Sequence, residues 1–215
     1  MPEKRNIVLI TLDSVRADHC SFMGYHRETT PTIDKMARGG LYFKNAIASS
    51  VPTGPSMFGV FTGSYCPISS ENFLNSKVWK REFRSRRILT KLLLKLGYNT
   101  VAVHPHPWAS ASFGFNEGFK TFDNVINRWE TEILTGRQSE LRWKVKYLIT
   151  RFERYLLRRS LKLPWQKYYN GILNCIRQES QPYFLWVFLL DTHLPYVPLK
   201  KYWCKANRLR LTYLY

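Results

Sequence analysis

Three apolar segments of the chain each run directly into side chains that can bind an anion or a metal ion. The polar residues that follow them are Asp13 after residues 6–12, His104 and His106 after residues 99–103, and Asp191 and His193 after residues 183–190. Long apolar segments are typical of central strands in a parallel sheet covered on both faces. Ligand sites of such sheets form beyond the carboxyl ends of the strands. A polar residue can simply end a strand, but three such endings favour a functional site at one edge of the sheet.

Strand-like and helix-like segments alternate along the chain. Strands are predicted at residues 6–12, 41–45, 99–103 and 183–190, and helices at about 30–38, 55–62, 85–96 and 165–178. This alternation predicts an α/β fold with a largely parallel sheet. Residues 104–125 are predicted to form a loop rich in Gly, Phe and Pro, and residues 128–163 a helical insertion packed on the sheet.

The formal net charge is +18, but residues 1–75 are nearly neutral, with seven Lys or Arg against six Asp or Glu. The basic excess begins at Lys77 and returns across residues 137–167 and in the last 16 residues. Such a surface can contact nucleic acid or an anionic membrane surface. Solvated helix faces explain it more simply, because no nucleic-acid-binding motif accompanies the charge; a membrane surface stays open as a partner of the basic helices.

The sequence predicts neither a membrane helix nor a signal peptide. No apolar segment approaches the roughly 20 residues of a membrane helix, and residues 1–5 lead into a short strand-like segment rather than a signal peptide. The four cysteines are scattered, which favours reduced thiols over a disulfide framework or a zinc site. These features predict a cytoplasmic protein, and they leave the oligomeric state open.

Thr53 precedes a predicted helix that starts near Pro55 and ends at Gly63. The free N–H groups and the positive dipole end at a helix N-terminus favour an anionic group. A hydroxyl there could attack a phosphoryl or sulfuryl centre. Taken alone, the segment is explained as well by a helix cap, in which the threonine serves only the helix start.

Several segments together resemble the sulfatase branch of the alkaline phosphatase superfamily. Residues 6–25 resemble the opening segment of that family. The resemblance continues, in the family's order, through Thr29–Asp34, Thr53–Ser56, Phe61–Gly63, Leu96–Thr100, Phe113–Phe115, Gly118–Phe119 and Asp191–Tyr196. It spans about residues 6–198, and it implies an alkaline-phosphatase-like, largely parallel sheet flanked by helices.

The resemblance also implies roles for individual residues. Asp13 matches a metal-binding aspartate, Thr53 the nucleophile, and His193 a histidine near the sulfate or phosphate group. Asp191 shares in binding that group or binds the metal. His106 lies where the family often carries polar residues and is predicted to bind substrate, although histidines in exposed loops are common. The implied cofactor is a divalent ion (Ca, Mg, Mn or Zn), and the implied partner is a small-molecule or glycan sulfate or phosphate ester.

Three positions depart from the family pattern. Ser14 stands where many sulfatases carry a second ligand aspartate, and Met57 where many carry an arginine that supports the nucleophile. Thr53 replaces the cysteine or serine that modified sulfatases oxidise to an aldehyde, and oxidation of threonine would give a ketone. Thr53 therefore indicates a direct hydroxyl nucleophile, as in the phosphatases and phospho-group transferases of the superfamily.

The second metal-ligand cluster of the family has no counterpart in the sequence, since residues 200–215 contain no Asp or Glu. We therefore expect a partial domain over residues 1–199 with a basic tail at 200–215, incomplete at the C-terminus, poorly active alone, and exposed along the strand at 183–190. The favoured function is a metal-dependent hydrolase or transferase, in a truncated form. The alternative is a non-catalytic relative that binds an anionic partner.

Overall fold

The computed structural model describes residues 4–125, 165–178 and 181–193. Its strands are β1 (Ile7–Leu12), β2 (Asn99–His104), β3 (Thr121–Asn124) and β4 (Tyr183–Leu189). Its α-helices are α1 (Pro31–Gly39), α2 (Thr53–Thr62), α3 (Ser76–Arg84), α4 (Leu89–Lys95) and α5 (Tyr169–Gln178). The predicted insertion at 128–163 and the basic tail at 200–215 lie outside the described residues. None of the described helices is long and apolar enough to cross a membrane.

The four strands form one parallel sheet in the order β1-β4-β2-β3. The last strand in sequence thus lies in the middle, where Trp186 pairs with Leu9 of β1 on one side and Ala102 of β2 on the other. All carboxyl ends of a parallel sheet lie at the same edge. The predicted α/β class with a largely parallel sheet is confirmed.

Each face of the sheet carries its own apolar core. One core is mainly aromatic and joins the sheet to α2 and α3; its buried rings are Phe58, Phe61, Trp79, Phe83, Phe113, Phe115, Phe184, Trp186 and Phe188. The other core packs Tyr168 and residues of α5 against aliphatic side chains of β2 and β4. Cover on both faces explains why β4 is apolar or aromatic at every position and why β2 is apolar in its middle, at Val101–Val103.

Three predicted elements differ in the structure. Residues 41–45 form no strand, and Leu41 and Phe43 are exposed. The predicted loop at 104–125 contains the four-residue strand β3, which pairs with β2. The basic segment at 85–96 forms a helix only from Leu89. A separate helix, α3, precedes it and ends at Arg84. The Asn75 side chain caps α3 by accepting hydrogen bonds from N–H groups of the first turn of that helix.

The α3 helix explains part of the basic character of the chain. Trp79 and Phe83, four residues apart, are buried against the aromatic core, while Lys77, Arg81 and Arg84 lie on the exposed side. This is the arrangement of an amphipathic surface helix with a solvated basic face.

The expected exposure of the strand at 183–190 is wrong, because β4 lies inside the sheet and its side chains are buried. The exposed strand is β1, at the edge of the sheet that the described residues form. Val8, Ile10 and Leu12 are 47%, 53% and 37% exposed on the face where α5 covers β2 and β4. An apolar edge strand without charge or proline is a site of association.

We expect Ile10→Lys to reduce self-association of the purified chain. A lysine on an exposed edge opposes strand pairing and shortens the apolar face. Light scattering and binding of a hydrophobic dye measure the effect. Leu92→Lys is the matched control, since Leu92 is 46% exposed on a helix. Equal association of the wild type and both variants would contradict a role for the β1 edge.

Candidate functional site

Asp13 occupies the first position after β1, where the backbone leaves the sheet. Its N–H donates to the carbonyl of Leu189 at 3.0 Å, which extends the β1–β4 pairing by one residue. Ser14 then adopts a φ of 60°, in the left-handed region that non-glycine residues seldom occupy. The turn leaves the Asp13 side chain only 12% exposed, so a carboxylate is held in a fixed position at the carboxyl edge of the sheet.

His106 reaches Asp13 from the segment that follows β2. Its Nε2 atom lies 3.3 Å from Asp13 Oδ2, and its side chain is 4% exposed. Its Nδ1 atom accepts a hydrogen bond from the N–H of Trp108 at 3.2 Å. Because Nδ1 is an acceptor, the neutral ring carries its proton on Nε2, facing the carboxylate.

His193 approaches the same carboxylate oxygen from the end of β4. Its Nε2 atom lies 4.0 Å from Asp13 Oδ2, and its side chain is 43% exposed. The N–H of His193 donates to the carbonyl of Leu190, and the hydroxyl of Thr192 donates to the carbonyl of Asp13. The first bond closes the turn after β4, and the second ties that turn to the end of β1, so that Asp13 lies between a buried and a half-exposed imidazole.

Burial and charge act in opposite directions on this group. Burial raises the pKa of Asp13, but the contacts with His106 and His193 outweigh it and bring the pKa below its usual value. Burial also lowers the pKa of His106, more than the neighbouring Asp13 raises it. The pair is therefore an ionised carboxylate beside a neutral imidazole.

Thr53 is the first residue of α2, with Pro52 at the N-cap position. A Cβ atom on the next residue, Gly54, would lie 2.9 Å from the Trp79 ring and 3.7 Å from the Trp108 carbonyl oxygen. The N-terminus of α2 therefore lies against the turn that follows His106. Thr53 is half-buried and is the first helical residue, whereas the N-cap position is taken by Pro52, which makes no side-chain capping hydrogen bond. Thr53 therefore does not act as the helix cap.

Asp191 is exposed, and its charge acts on Tyr168. Burial first, and then Asp191, raise the pKa of the Tyr168 hydroxyl, which donates to the carbonyl of Phe188. Tyr168 belongs to the core on the α5 face of the sheet. The structure thus brings Asp13, His106 and His193 together, and it relates Asp191 to the α5 face.

The fit of a metal ion to these residues rests on one atom. Asp13 Oδ2 is buried and has no hydrogen-bond partner among the described residues, with the His106 Nε2 atom 3.3 Å away. A carboxylate oxygen in this state suits one ligand position of a hard divalent cation. Within the described residues there is no group of three or more His, Cys, Asp or Glu that could hold an ion, so Asp13 fits as a single ligand.

Sequence reasoning missed the places of two residues that contact His106, namely His104 and Asn124. His104 was predicted to follow a strand at the start of a loop. It ends β2 instead and is fully buried among Phe122, Trp186 and Phe188, and burial lowers its pKa to about 3. Asn124 ends β3, and its Nδ2 donates to the His106 carbonyl at 3.5 Å. Residues 121–124 contain a single apolar residue, Phe122, so the sequence carried no periodic signal for this strand.

Comparison with protein families gives a match to the sulfatase model over residues 5–209. The chain belongs to the sulfatase family. It is similar to an N-acetylgalactosamine-6-O-sulfatase of Bacteroides thetaiotaomicron, with 40% identity over 33% of this chain and 14% of the relative. It is also similar to an ulvan-active sulfatase of Formosa agariphila, with 30% identity over 46% of this chain and 19% of the relative.

Several solved structures share the fold of this sulfatase-family chain. One is the C-terminal periplasmic domain of EcEptC from Escherichia coli in complex with Zn, with a TM-score of 0.62, 15% identity, and coverage of 94% of this chain and 48% of that one. Another is the phosphonate monoester hydrolase of Agrobacterium radiobacter, with a TM-score of 0.57, 18% identity, and coverage of 89% and 42%. The chain thus spans less than half the length of these relatives.

Two departures from the family pattern have a structural setting in this sulfatase-family chain. Met57 is buried in the aromatic core, so no charged group extends from that position of α2. Ser14 donates a hydrogen bond to Asp13 Oδ1 at 3.3 Å. A neutral donor there leaves Asp13 as the only carboxylate of the Asp13–Ser14 pair.

Proposed function

We propose that this chain forms the nucleophile-bearing part of a metal-dependent enzyme that cleaves sulfate or phosphate esters. The observation that carries the proposal is the ionised Asp13 carboxylate, held at the sheet edge between two imidazoles with one oxygen free of hydrogen bonds from the described residues. The substrate class is supported by the relatives, two of which are named as sulfatases and one as a phosphonate monoester hydrolase.

Asp13 would hold the divalent ion through Oδ2. When bound, such an ion neutralises charge on an oxygen of the ester and lowers the pKa of a nearby hydroxyl. Asp13 is one ligand of the several that a hard cation needs, and we expect the remaining ligands from residues other than those described. His106, which is almost fully buried, orients the Asp13 carboxylate and holds it ionised.

Thr53 would be the nucleophile. Its oxygen forms a bond to the sulfur or phosphorus, the ester bond to that atom breaks, and the leaving alkoxide takes up a proton. Water then cleaves the Thr53 ester, which releases sulfate or phosphate and restores the hydroxyl. Free N–H groups at the start of α2 favour the negative charge of the transferred group.

His193 would contact the transferred group. Its imidazole is half-exposed and lies beside Asp13, so it can reach a ligand while its neighbour His106 cannot. Asp191 is two residues away on the same turn, and its exposed carboxylate acts on Tyr168 at the α5 face. It would therefore contact the alcohol part of the substrate rather than the ion at Asp13.

Asp13→Asn tests the proposal. With protein in excess over 4-nitrophenyl sulfate or phosphate, and with Mg, Ca, Mn or Zn added singly, we expect ester cleavage that a chelator stops. The variant should lower the rate by about 100-fold or more, because a Lewis-acid ion supplies several kcal/mol of transition-state stabilisation. Excess protein is needed since the chain is expected to be poorly active alone.

Asp18→Asn is the matched control, because Asp18 is an exposed aspartate paired with Arg16 on the neighbouring loop. It should leave the rate and the metal response unchanged. A rate of ester cleavage that changes neither on addition of the chelator nor in Asp13→Asn would overturn the proposed function.

A further inference from the structure

Backbone and ring groups of His106 are held by four neighbouring groups. Its N–H donates to Nδ1 of His104 at 3.1 Å, and its carbonyl accepts from Nδ2 of Asn124 at 3.5 Å. Its ring accepts from the N–H of Trp108 at Nδ1 and faces Asp13 at Nε2. Two of these four neighbours, the side chains of His104 and Asn124, have been given no role in the proposed function.

His104 and Asn124 lie directly opposite each other in the register of β2 and β3. The carbonyl of His106 can only accept, so the Asn124 amide must present its NH₂ group to it, which leaves Oδ1 as an acceptor. His104 Nδ1 accepts from His106, so its proton is on Nε2. Both residues are thus fixed in one orientation by the main chain of a single neighbour.

Each of the two residues keeps one buried atom without a hydrogen-bond partner among the described residues, Nε2 in His104 and Oδ1 in Asn124. A buried polar group left unsatisfied costs free energy that an apolar side chain of similar shape would not. His104 in particular sits among aromatic rings, where a leucine would satisfy the core. The hydrogen bond that Nδ1 accepts from the buried N–H of His106 is therefore the reason that the structure offers for a histidine at this position.

We infer that His104 and Asn124 are positioning residues, which fix the backbone of His106 so that its Nε2–H faces the Asp13 carboxylate. His104 acts on the N–H and Asn124 on the carbonyl of the same residue, so the ring has only one approach to Asp13. The catalytic consequence rests on the proposed function, whereas the positioning itself depends only on the contacts given above.

The test compares two substitutions of His104 by NMR spectroscopy. His104→Asn keeps an acceptor at the place of Nδ1, while His104→Leu keeps the apolar bulk and removes the acceptor. The probe is the Nε2–H resonance of His106, assigned by its disappearance in His106→Gln. We expect this resonance to be protected from solvent exchange in the wild type and in His104→Asn, and to be lost in His104→Leu, with a melting temperature within about 4 °C of the wild type.

A second measurement uses Mn²⁺ alone as the probe. Its dissociation constant should rise roughly 10-fold in His104→Leu and stay unchanged in His104→Asn, the scale of a lost partner behind a metal ligand. If the wild type binds no Mn²⁺, the metal part of the proposed function fails, and the Nε2–H resonance still decides the positioning. Should His104→Leu not fold, Asn124→Ala removes the other support, with the same expected loss. Retention of the protected resonance in the folded variant overturns the inference.

Discussion

Thr53→Val is expected to abolish formation of a covalent adduct between the chain and an activated sulfate or phosphate ester. Valine has the shape of threonine and the same β-branched stiffness in a helix, so the variant removes the hydroxyl and little else. Thr53 is the first helical residue and not the N-cap, which is Pro52, so α2 should keep its stability. Loss of a catalytic nucleophile lowers turnover by about 10³-fold or more. Mass spectrometry of the quenched reaction, followed by peptide mapping, detects the adduct and its position.

Two further variants make this experiment decisive. Thr53→Ser retains a hydroxyl at the same place and should still form the adduct. Thr62→Val removes a hydroxyl from the other end of α2, where it donates to the carbonyl of Phe58. It should cost about 1 kcal/mol of stability and leave the adduct intact. An adduct that persists in Thr53→Val, or that maps to another residue, would show that Thr53 is not the nucleophile.

The carboxyl edge of the sheet could be predicted from the sequence because long apolar strands are buried on both faces and end at polar residues. Asp13, His106 and His193 lie together as the strand endings indicated. The central place of β4 could not be predicted, since sequence order does not determine strand order. In the structure the edge of the sheet formed by the described residues is β1. Its apolar residues are as continuous as those of a buried strand, so the sequence did not mark β1 as an edge strand.

Short or mixed elements escaped prediction for a different reason. The strand β3 has four residues and includes the exposed Asp123, so it lacks the apolar length that marks a strand. The helix α3 carries its apolar residues, Trp79 and Phe83, within a basic segment whose charge concealed the helical spacing. Missing β3 concealed Asn124, and with it the support of His106. The burial of His104 likewise depends on tertiary packing that no local pattern encodes.

The Gly118–Phe119 pair, which belongs to the family resemblance, has a steric explanation in this structure. Gly118 has a φ of +80°, and a Cβ atom there would lie 2.6 Å from the backbone N of Lys91 and 2.8 Å from the carbonyl carbon of Thr90. The loop before β3 is thus pressed against the backbone of α4. Phe119 then enters the aromatic core beside Trp186, so the glycine sets the distance at which helix and loop join the sheet.

Hydrogen bonds and ion pairs also stabilise the contact between the loop at Gly118 and helix α4. The buried Thr90 hydroxyl donates to the Glu117 carbonyl at 2.6 Å, and the buried Thr100 hydroxyl donates to the Gly118 carbonyl at 2.7 Å. The Glu117 carboxylate pairs with Lys91 and Arg84 at 2.8 and 3.1 Å. An added methyl group cannot be accommodated without breaking several of these bonds together.

We therefore expect Gly118→Ala to destabilise the chain by about 3–5 kcal/mol, combining left-handed backbone strain with overpacking against main chain. That is a large part of the 5–15 kcal/mol typical of folded domains. Circular dichroism during thermal or urea unfolding measures the loss.

Gly63→Ala is the matched control, because Gly63 also has a positive φ, of +64°, but nothing lies within 4 Å of the added Cβ. It should cost only the strain of about 1 kcal/mol. Adding Thr90→Ala should not rescue Gly118→Ala, since the closest clash is with the backbone N of Lys91. Equal stability of the two glycine variants would show that the loop can move away from α4, and that the close approach at Gly118 does not hold the sheet and helix together.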